Sequence, residues 1–280
     1  MDSEKRAAGG MLTRMENQFG RTSLCRITAG CEEGRTRLED VEFTAPFKVM
    51  SPFYEKSGEM QVMLLSASAG IMEGDTQRLD IHVKQNACMG FMAQAYEKIH
   101  KMKEGYAKRT ARIQVDAGGM LDYYSQPVIP FAGSAFTSTL RAELADESCV
   151  FCYQEILSCG RTAFGEEFAY RFYHNLVEVL RGQELIYRDN CYFEPGRMDM
   201  AGMGMYEGHH HVGTFLLFGK EPLEEQIEQI RKLLDADSEC EGGVTLLSER
   251  DLAIRVLGNR AQHLEELFEK IKNIIGKRVF

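Results

Sequence analysis

Short runs in which polar and apolar residues alternate recur along most of the chain, and this feature constrains the fold more than any other. Alternation with a period of two is typical of half-buried β-strands, because successive side chains of a strand point to opposite faces. Between residues 21 and 192, Gly, Pro, Asp and Ser interrupt such runs about every 10 to 15 residues. The clearest runs are 37–43, 60–65, 79–83, 111–115, 138–144 and 149–157. Their spacing predicts a mainly β fold of stacked antiparallel sheets rather than strands alternating with helices.

The C-terminal part of the chain has a different pattern. Apolar residues of 223–234 and of 264–275 recur three or four positions apart, which is the spacing of one helical face. Two alternating runs between them, 244–247 and 252–257, predict a pair of strands. From about residue 221 the tail is therefore predicted to run helix, strand, strand, helix.

The rest of the organisation is simple. Residues 1–18 are polar, contain glycine and lack periodicity, so they predict a flexible N-terminal arm. No internal repeat or low-complexity linker is apparent, so residues 19–280 are predicted to form a single large domain. One short helix is also predicted at about residues 92–102.

Charge and cysteine usage exclude several classes of protein. The formal net charge is −9, which argues against a nucleic-acid partner because such proteins neutralise phosphates with clustered Lys and Arg. Neither an apolar run behind the charged first residues nor a stretch able to span a bilayer is present, so no secretion and no membrane partner are expected. The eight cysteines are scattered along the chain and lack the spacing of a disulfide framework, which predicts reduced thiols in the cytoplasm.

Catalytic signatures are lacking. The sequence contains no phosphate-binding loop, no Gly-x-Ser-x-Gly elbow and no His-Glu-x-x-His. Cys149 and Cys152 have the spacing of a metal-binding pair, but they fall in a predicted strand. Side chains three apart on a strand point to opposite faces, so packed, inert thiols are the favoured interpretation.

The run His209-His210-His211 is the second metal-like feature, and four methionines precede it. In an extended segment His209 and His211 share a face, and imidazole and thioether ligands suit late first-row metals, including nickel. The neighbouring glycines favour a loop whose histidines are merely exposed. Both interpretations stay open at this point.

Several unusual strings follow one another in the middle of the chain, and together they resemble the UreD family of urease accessory proteins, called UreH in some bacteria. The strings are RTRL at 35–38, APFKVMSPF at 45–53, SASAGIMEGD at 66–75, AQAYEKI at 93–99, QPVIPF at 126–131 and GRTAFGE at 160–166. Ala69 and Ala93 stand where the family usually has glycine and threonine. The resemblance covers roughly residues 21–220 and does not extend to the methionines, the triple histidine or the acidic tail.

The resemblance implies a protein that is not an enzyme. Members of the family act as adaptors that bind apo-urease and recruit a UreF-like protein and, through it, a UreG-like GTPase. The resemblance further implies that nickel released on GTP hydrolysis reaches urease through a passage within the UreD protein. The resemblance therefore implies no tightly bound cofactor, only nickel in transit.

Six residues of the matching strings are candidates for a nickel passage or for a structural polar network. Glu73 and Asp75 belong to a Gly-rich turn, where Asp commonly bonds its own backbone, although both also offer oxygen ligands. Within a helix, Gln94 and Lys98 would share one face. Arg161 and Glu166 flank Gly165, and a loop-fixing ion pair is favoured over a channel lining. For each pair the structural role is the preferred one.

Two other functions stay open. A metal-dependent enzyme on a β scaffold would need His209, His211 and a carboxylate to converge on one tightly bound ion. A β-sheet interaction protein unrelated to metal would not associate with a UreF-like partner. Metal analysis and co-expression separate these alternatives from the adaptor.

Overall fold

The computed structural model describes residues 22–55 and 58–276, so the predicted arm at 1–18 lies outside the described residues. In chain order the elements are β1 (Thr22–Glu32), β2 (Arg35–Phe43), β3 (Phe47–Val49), β4 (Phe53–Tyr54), β5 (Met60–Ser66), β6 (Thr76–Val83), β7 (Cys88–Gln94), β8 (Glu97–Ile99), β9 (Ala107–Val115), β10 (Met120–Tyr124), β11 (Val128–Pro130), β12 (Ala135–Leu144), β13 (Val150–Ser158), a 3₁₀ turn (Thr162–Phe164), β14 (Phe172–Arg181), β15 (Glu184–Phe193), β16 (His211–Phe218), α1 (Glu224–Asp235), β17 (Cys240–Ser248), β18 (Asp251–Gly258) and α2 (Ala261–Ile275).

The strands form two sheets that pack face to face. The first sheet has the order β15-β14-β12-β9-β6-β1-β2. The second follows the order β17-β18-β16-β13-β10-β7-β5-β3, with β4, β8 and β11 attached to it. A mainly β fold in one domain, with helices near the C-terminus, is confirmed, and each of the six alternating runs lies within or overlaps a strand.

The predicted antiparallel pairing holds at the sheet edges and from β13 through β16 and β18 to β17, and it has to be corrected for the remaining inner strands. From β5 to β14 the chain passes back and forth between the two sheets, so neighbours within one sheet come from successive turns of a coil. Strands of successive turns run in the same direction, and β1, β6, β9, β12 and β14 pair in parallel. Hairpins such as β1–β2 and β14–β15 supply antiparallel edges. The alternation of apolar and polar residues shows which face of a strand is buried, but it is the same whether the neighbouring strands run parallel or antiparallel.

The helix predicted at about 92–102 is wrong. This stretch contains the end of β7, a tight bend and β8. Strand β8 pairs with β11, which compensates its backbone groups without a helical turn.

The tail is confirmed as helix, strand, strand, helix. Both helices cover the outer face of the second sheet, where their apolar stripes meet Phe215, Leu217 and Ile254. Burying such a stripe is what stabilises a short amphipathic helix. Neither helix of the described residues is long and apolar enough to cross a membrane.

Candidate functional site

A row of polar side chains crosses the inner face of the first sheet. One residue of each of five adjacent strands contributes to it, and their Cα atoms are in register. The row consists of Ser23, Gln77, Arg109, Ser138 and Asn175. Four of these residues are buried and Ser138 is half-buried. Such a row is unusual, because a buried polar group is costly unless it is hydrogen-bonded.

The row lies between two apolar regions of the space between the sheets. On β9 the inward residues Ala107 and Ala111 flank Arg109, and these two alanines belong to different core clusters. On β13 the same alternation places Glu155 between Tyr153 of one cluster and Leu157 of the other. Polar groups of both sheets therefore meet in one layer. We call Gln77, Glu97, Arg109, Glu155, Tyr173 and Asn175 the polar layer.

Arg109 is the centre of one half of the layer. Its Nε and Nη2 donate to Gln77 Oε1 at 3.0 and 2.6 Å, and its guanidinium forms a two-pronged ion pair with the Glu97 carboxylate. The guanidinium carbon also lies 5.7 Å from the centre of the Phe136 ring. Burial lowers the pKa of Arg109, but the Glu97 carboxylate outweighs it, so the pKa is raised. The pair stays charged.

Glu155 is the centre of the other half. Its Oε1 accepts a hydrogen bond from the Tyr173 hydroxyl at 2.8 Å, and its Oε2 accepts one from Asn175 Nδ2 at 2.7 Å. Burial raises the pKa of Glu155 above its ordinary value. Among the residues that the structure describes, no Lys, Arg or His forms an ion pair with this carboxylate, and the hydrogen bonds of Tyr173 and Tyr153 and the charge of Arg255 offset only part of this rise in its pKa. It is therefore a carboxylate whose ionised form a passing cation would favour.

Two cavities adjoin the layer. An internal cavity of about 10 Å³, which is room for about one water molecule, is bounded by Arg109, Glu155 and Tyr173. A surface cavity of about 130 Å³ is bounded by Gln77 and Glu97 together with Gln94 and Lys98. Because Gln77 and Glu97 both bond to Arg109, the Arg109 side chain stands between the two cavities.

Of the six predicted passage residues, Gln94 and Lys98 line the surface cavity. Both side chains are exposed. The helical argument for their shared face fails with the helix, and the strand pairing of β8 places Lys98 instead. Gly70 closes the same cavity at a φ of +145°, and a Cβ there would lie 2.4 Å from the Lys98 carbonyl oxygen. The passage role itself remains a hypothesis for these two side chains.

Glu73 and Asp75 form the turn that the glycines indicate. Asp75 Oδ2 accepts the Met72 amide at 2.8 Å, which closes the turn on itself. Glu73 reaches across to the loop at 103–105 and accepts its three backbone amides, which lowers the pKa of Glu73. Glu73 and Asp75 therefore hold a turn and a neighbouring loop through backbone amides, and they lie away from the polar layer.

Arg161 and Glu166 form an ion pair in which Nε donates to Oε2 at 2.8 Å. Glu166 Oε2 also accepts the Ala132 amide at 3.0 Å, and the Arg161 guanidinium lies 3.9 Å from the centre of the Phe131 ring. The pair fastens the 161–166 loop to the segment that follows β11. Among the described residues it has no hydrogen bond to Gln94 or Lys98, so the three predicted pairs occupy three separate places.

Among the residues that the structure describes, the three histidines do not converge on one carboxylate. His209 Nδ1 lies 3.2 Å from the Tyr206 carbonyl oxygen, and His210 Nε2 lies 3.6 Å from Glu167. His211 begins β16 and is half-buried, and burial together with His210 lowers the pKa of His211 to about 4. No group of three ligand side chains within the described ranges includes His209 or His211.

The Cys149 and Cys152 thiols are packed on opposite sides of β13. Cys149 lies in the core between the sheets, and Cys152 lies beneath the helices. Burial raises the pKa of both thiols. This is the inert arrangement expected of a strand.

The polar layer was missed by the sequence analysis, although a repeated pattern marks half of it. In each of five strands one polar residue is followed at alternate positions by two or three residues of the apolar core. The segments are Ser23–Ala29, Gln77–Val83, Arg109–Val115, Ser138–Leu144 and Asn175–Val179. Glu97 and Glu155 are not marked in this way, because in β8 and β13 they are not followed by the same run of alternating apolar core residues.

Comparisons with known proteins bear on the whole chain. The family model described as UreD urease accessory protein matches residues 21–279, which includes the tail. The chain is 37% identical to urease accessory protein UreD of Acetivibrio thermocellus over 262 residues, 93% of this chain and 100% of that protein. It is 32% identical to UreH of Helicobacter pylori over 264 residues, 94% of this chain and 98% of that protein. UreD of Flavobacterium johnsoniae is 29% identical over 249 residues, 88% of this chain and 89% of that protein.

Proposed function

This chain belongs to the UreD family of urease accessory proteins, and on that premise we propose that it is a non-catalytic adaptor that guides nickel into apo-urease. Family membership supports the coarser statement that the chain serves urease maturation. The finer proposal is that it links apo-urease to a UreF-like protein and a UreG-like GTPase, and that the nickel ion passes through the polar layer.

The observation that carries this proposal is the polar layer itself. A protein that needed only stability would fill the space between two sheets with apolar side chains, since replacing a buried ion pair by packed apolar groups is commonly neutral or stabilising. Here an ion pair and a second carboxylate interrupt the core in one plane. A hydrated cation can cross a β-sandwich only where such groups replace apolar ones.

The ligands of the layer suit transit better than storage. Glu97 and Glu155 offer carboxylate oxygens and Gln77 and Tyr173 offer neutral ones, but no thiolate or imidazole belongs to the layer. Oxygen ligands without nitrogen or sulfur bind a late first-row ion less tightly than mixed sites. An ion has to leave each position as readily as it enters, as in multi-site conduction.

The surface cavity provides the entrance of the proposed route. Gln94 and Lys98 lie at its rim, and Gln77 and Glu97 connect it to Arg109. Movement of the Arg109 side chain would join it to the internal cavity beside Glu155. In this scheme Glu97 and Glu155 receive the ion in turn, while Tyr173 and Asn175 hold the Glu155 carboxylate in place.

The other predicted pairs serve the route as supports. Glu73 with Asp75, and Arg161 with Glu166, each fix a loop through backbone amides or through one another. We therefore expect Asp75→Ala and Glu166→Ala to weaken urease activation through loop order, less than a change within the layer.

The proposal is tested by co-expression of apo-urease with UreF-like and UreG-like proteins, with and without this chain. Urease activity should depend on the chain and should fall with Glu155→Gln, which removes the charge but keeps the shape. The matched control is Glu178→Gln, a half-buried carboxylate on the outer face of the first sheet. Co-purification of the partners with Glu155→Gln should equal that of the natural chain. Full activation by Glu155→Gln would refute the route, and activation without the chain would refute the function.

A further inference from the structure

Three potential metal ligands of different chemistry converge outside the proposed route. Asp237 follows α1, Cys240 is the first residue of β17, and His263 lies in the first turn of α2. One ligand atom of each lies within 4.8 Å of the others, and no second such group of three occurs within residues 22–55 and 58–276. We call these three residues the tail cluster.

The tail cluster is well ordered by its own contacts. His263 Nε2 lies 2.7 Å from Asp237 Oδ2, and Asp237 Oδ1 accepts the Glu239 amide at 2.9 Å. The Cys240 thiol hydrogen-bonds to the Asp237 carboxylate. Cys240 is buried, while the histidine and aspartate side chains are 18% and 11% exposed. An ion could therefore enter from the solvent side and still be shielded.

The donor set favours one kind of ion. A thiolate, an imidazole and a carboxylate are the ligands of tetrahedral zinc sites, and three protein ligands leave one position for water. Ligand atoms on a tetrahedral zinc ion are roughly 3.3–3.8 Å apart, given bond lengths of about 2.0–2.3 Å. In the structure His263 Nε2 and Asp237 Oδ2 lie 2.7 Å apart, and all three ligand atoms lie within 4.8 Å of one another, so small side-chain movements separate this arrangement from a tetrahedral one.

A second carboxylate stands where it would support a metal-bound histidine. Glu239 Oε2 lies 3.6 Å from His263 Nδ1, the ring nitrogen that faces away from Asp237. Histidines that bind a metal through one nitrogen usually donate the other N–H to such a group, which fixes the tautomer. The Arg260 guanidinium holds this carboxylate in turn.

We propose that Asp237, Cys240 and His263 form a zinc site that joins the α1–β17 loop to the first turn of α2. Binding displaces the thiol proton to solvent and forms Zn–S, Zn–N and Zn–O bonds without any redox change. The site lies beneath the helices on the outer face of the second sheet, whereas the polar layer lies between the sheets. It therefore goes beyond the proposed function and does not depend on it.

Zinc titration of the untagged full chain tests the proposal, with a chromophoric chelator as competitor and cobalt as a spectroscopic probe. One equivalent of zinc should bind, and cobalt should give a tetrahedral d–d spectrum with a thiolate-to-cobalt charge-transfer band. The band is measured on the natural chain, so it does not depend on whether a variant folds. Absence of bound zinc, or cobalt binding without thiolate charge transfer, would overturn the site.

Variants assign the ligands. Cys240→Ser and His263→Ala should weaken zinc binding about a hundredfold or more, and Glu239→Gln should weaken it about 10–100-fold as a supporting group. Cys191→Ser is the matched control, because that thiol also lies beside an aspartate, Asp189, but without a histidine. It should bind zinc as the natural chain does, with the charge-transfer band intact. Zinc binding by Cys240→Ser that equals the natural chain would refute the assignment.

Discussion

Removing the Arg109 guanidinium from the polar layer should lower the free energy of unfolding, because it breaks a buried ion pair. Arg109→Met keeps an unbranched side chain but leaves the Glu97 carboxylate without its partner and Gln77 Oε1 without its donors. Breaking a buried ion pair by removing one partner costs about 3–5 kcal/mol. The Glu97 side chain is 15% exposed and adjoins the surface cavity, which places the expected loss near the lower end, at about 3 kcal/mol.

Chemical unfolding monitored by circular dichroism measures this loss directly. For a chain of 280 residues, whose unfolding entropy is about 2.1 cal/mol/K per residue, about 3 kcal/mol corresponds to a fall in Tm of about 5 °C. The double variant Glu97→Leu/Arg109→Met leaves no unpaired charge, so it should recover all but about 1 kcal/mol, the remainder being the unpaired Gln77 oxygen. Exposed Arg26 and Glu42 provide the control pair, and their replacement by Met and Leu should change neither the midpoint nor the slope of unfolding.

The same variants separate stability from function. The double variant should fold with nearly natural stability and still activate urease poorly, because apolar side chains replace Glu97 and Arg109 between the surface cavity and Glu155 in the proposed route. Arg109→Met as stable as the natural chain would refute the account of the layer as a buried ion pair. A stable double variant that activates urease fully would show that the layer is structural only.

Three further predictions concern single residues. The pKa of His211 is lowered from an ordinary 6.5 to about 4, so the unfolded chain binds a proton at this residue before the folded chain does. The free energy of unfolding should therefore fall by up to about 3 kcal/mol as the pH drops from about 6.5 to about 4. Urea unfolding of His211→Gln should lack this pH dependence, and an unchanged dependence would assign it to other groups. Gly70→Ala should lower Tm markedly, because a Cβ would lie 2.4 Å from the Lys98 carbonyl oxygen at a φ of +145°, and a natural Tm would contradict that close approach. Glu73→Ala should speed amide hydrogen exchange at residues 103–105, whose amides it accepts; unchanged exchange there would contradict the role of this carboxylate in the loop.

Much of the local structure could be predicted from the sequence. The alternating runs predicted the strands because every second residue of a half-buried strand faces the core and is apolar, as are Leu79, Ile81 and Val83 of β6. The two tail helices were equally clear from their apolar stripes. Cys149 and Cys152 could be judged inert from their spacing on a strand, and Asp75 could be placed in a turn from its glycines, because these arguments involve only near neighbours in the chain.

Only the tertiary structure decided how the strands pair and which polar residues meet. The sequence alone determined that this chain is mainly β with a helical tail, since those patterns repeat within a few residues. Strand direction depends on the coil by which the chain passes between the sheets, and a pattern of buried faces is the same for parallel and antiparallel neighbours. Arg109, Glu97 and Gln77 form one buried group, as do Glu155, Tyr173 and Asn175, only because the register of distant strands aligns them. Residues far apart in the chain become neighbours through packing, and no local periodicity records that packing.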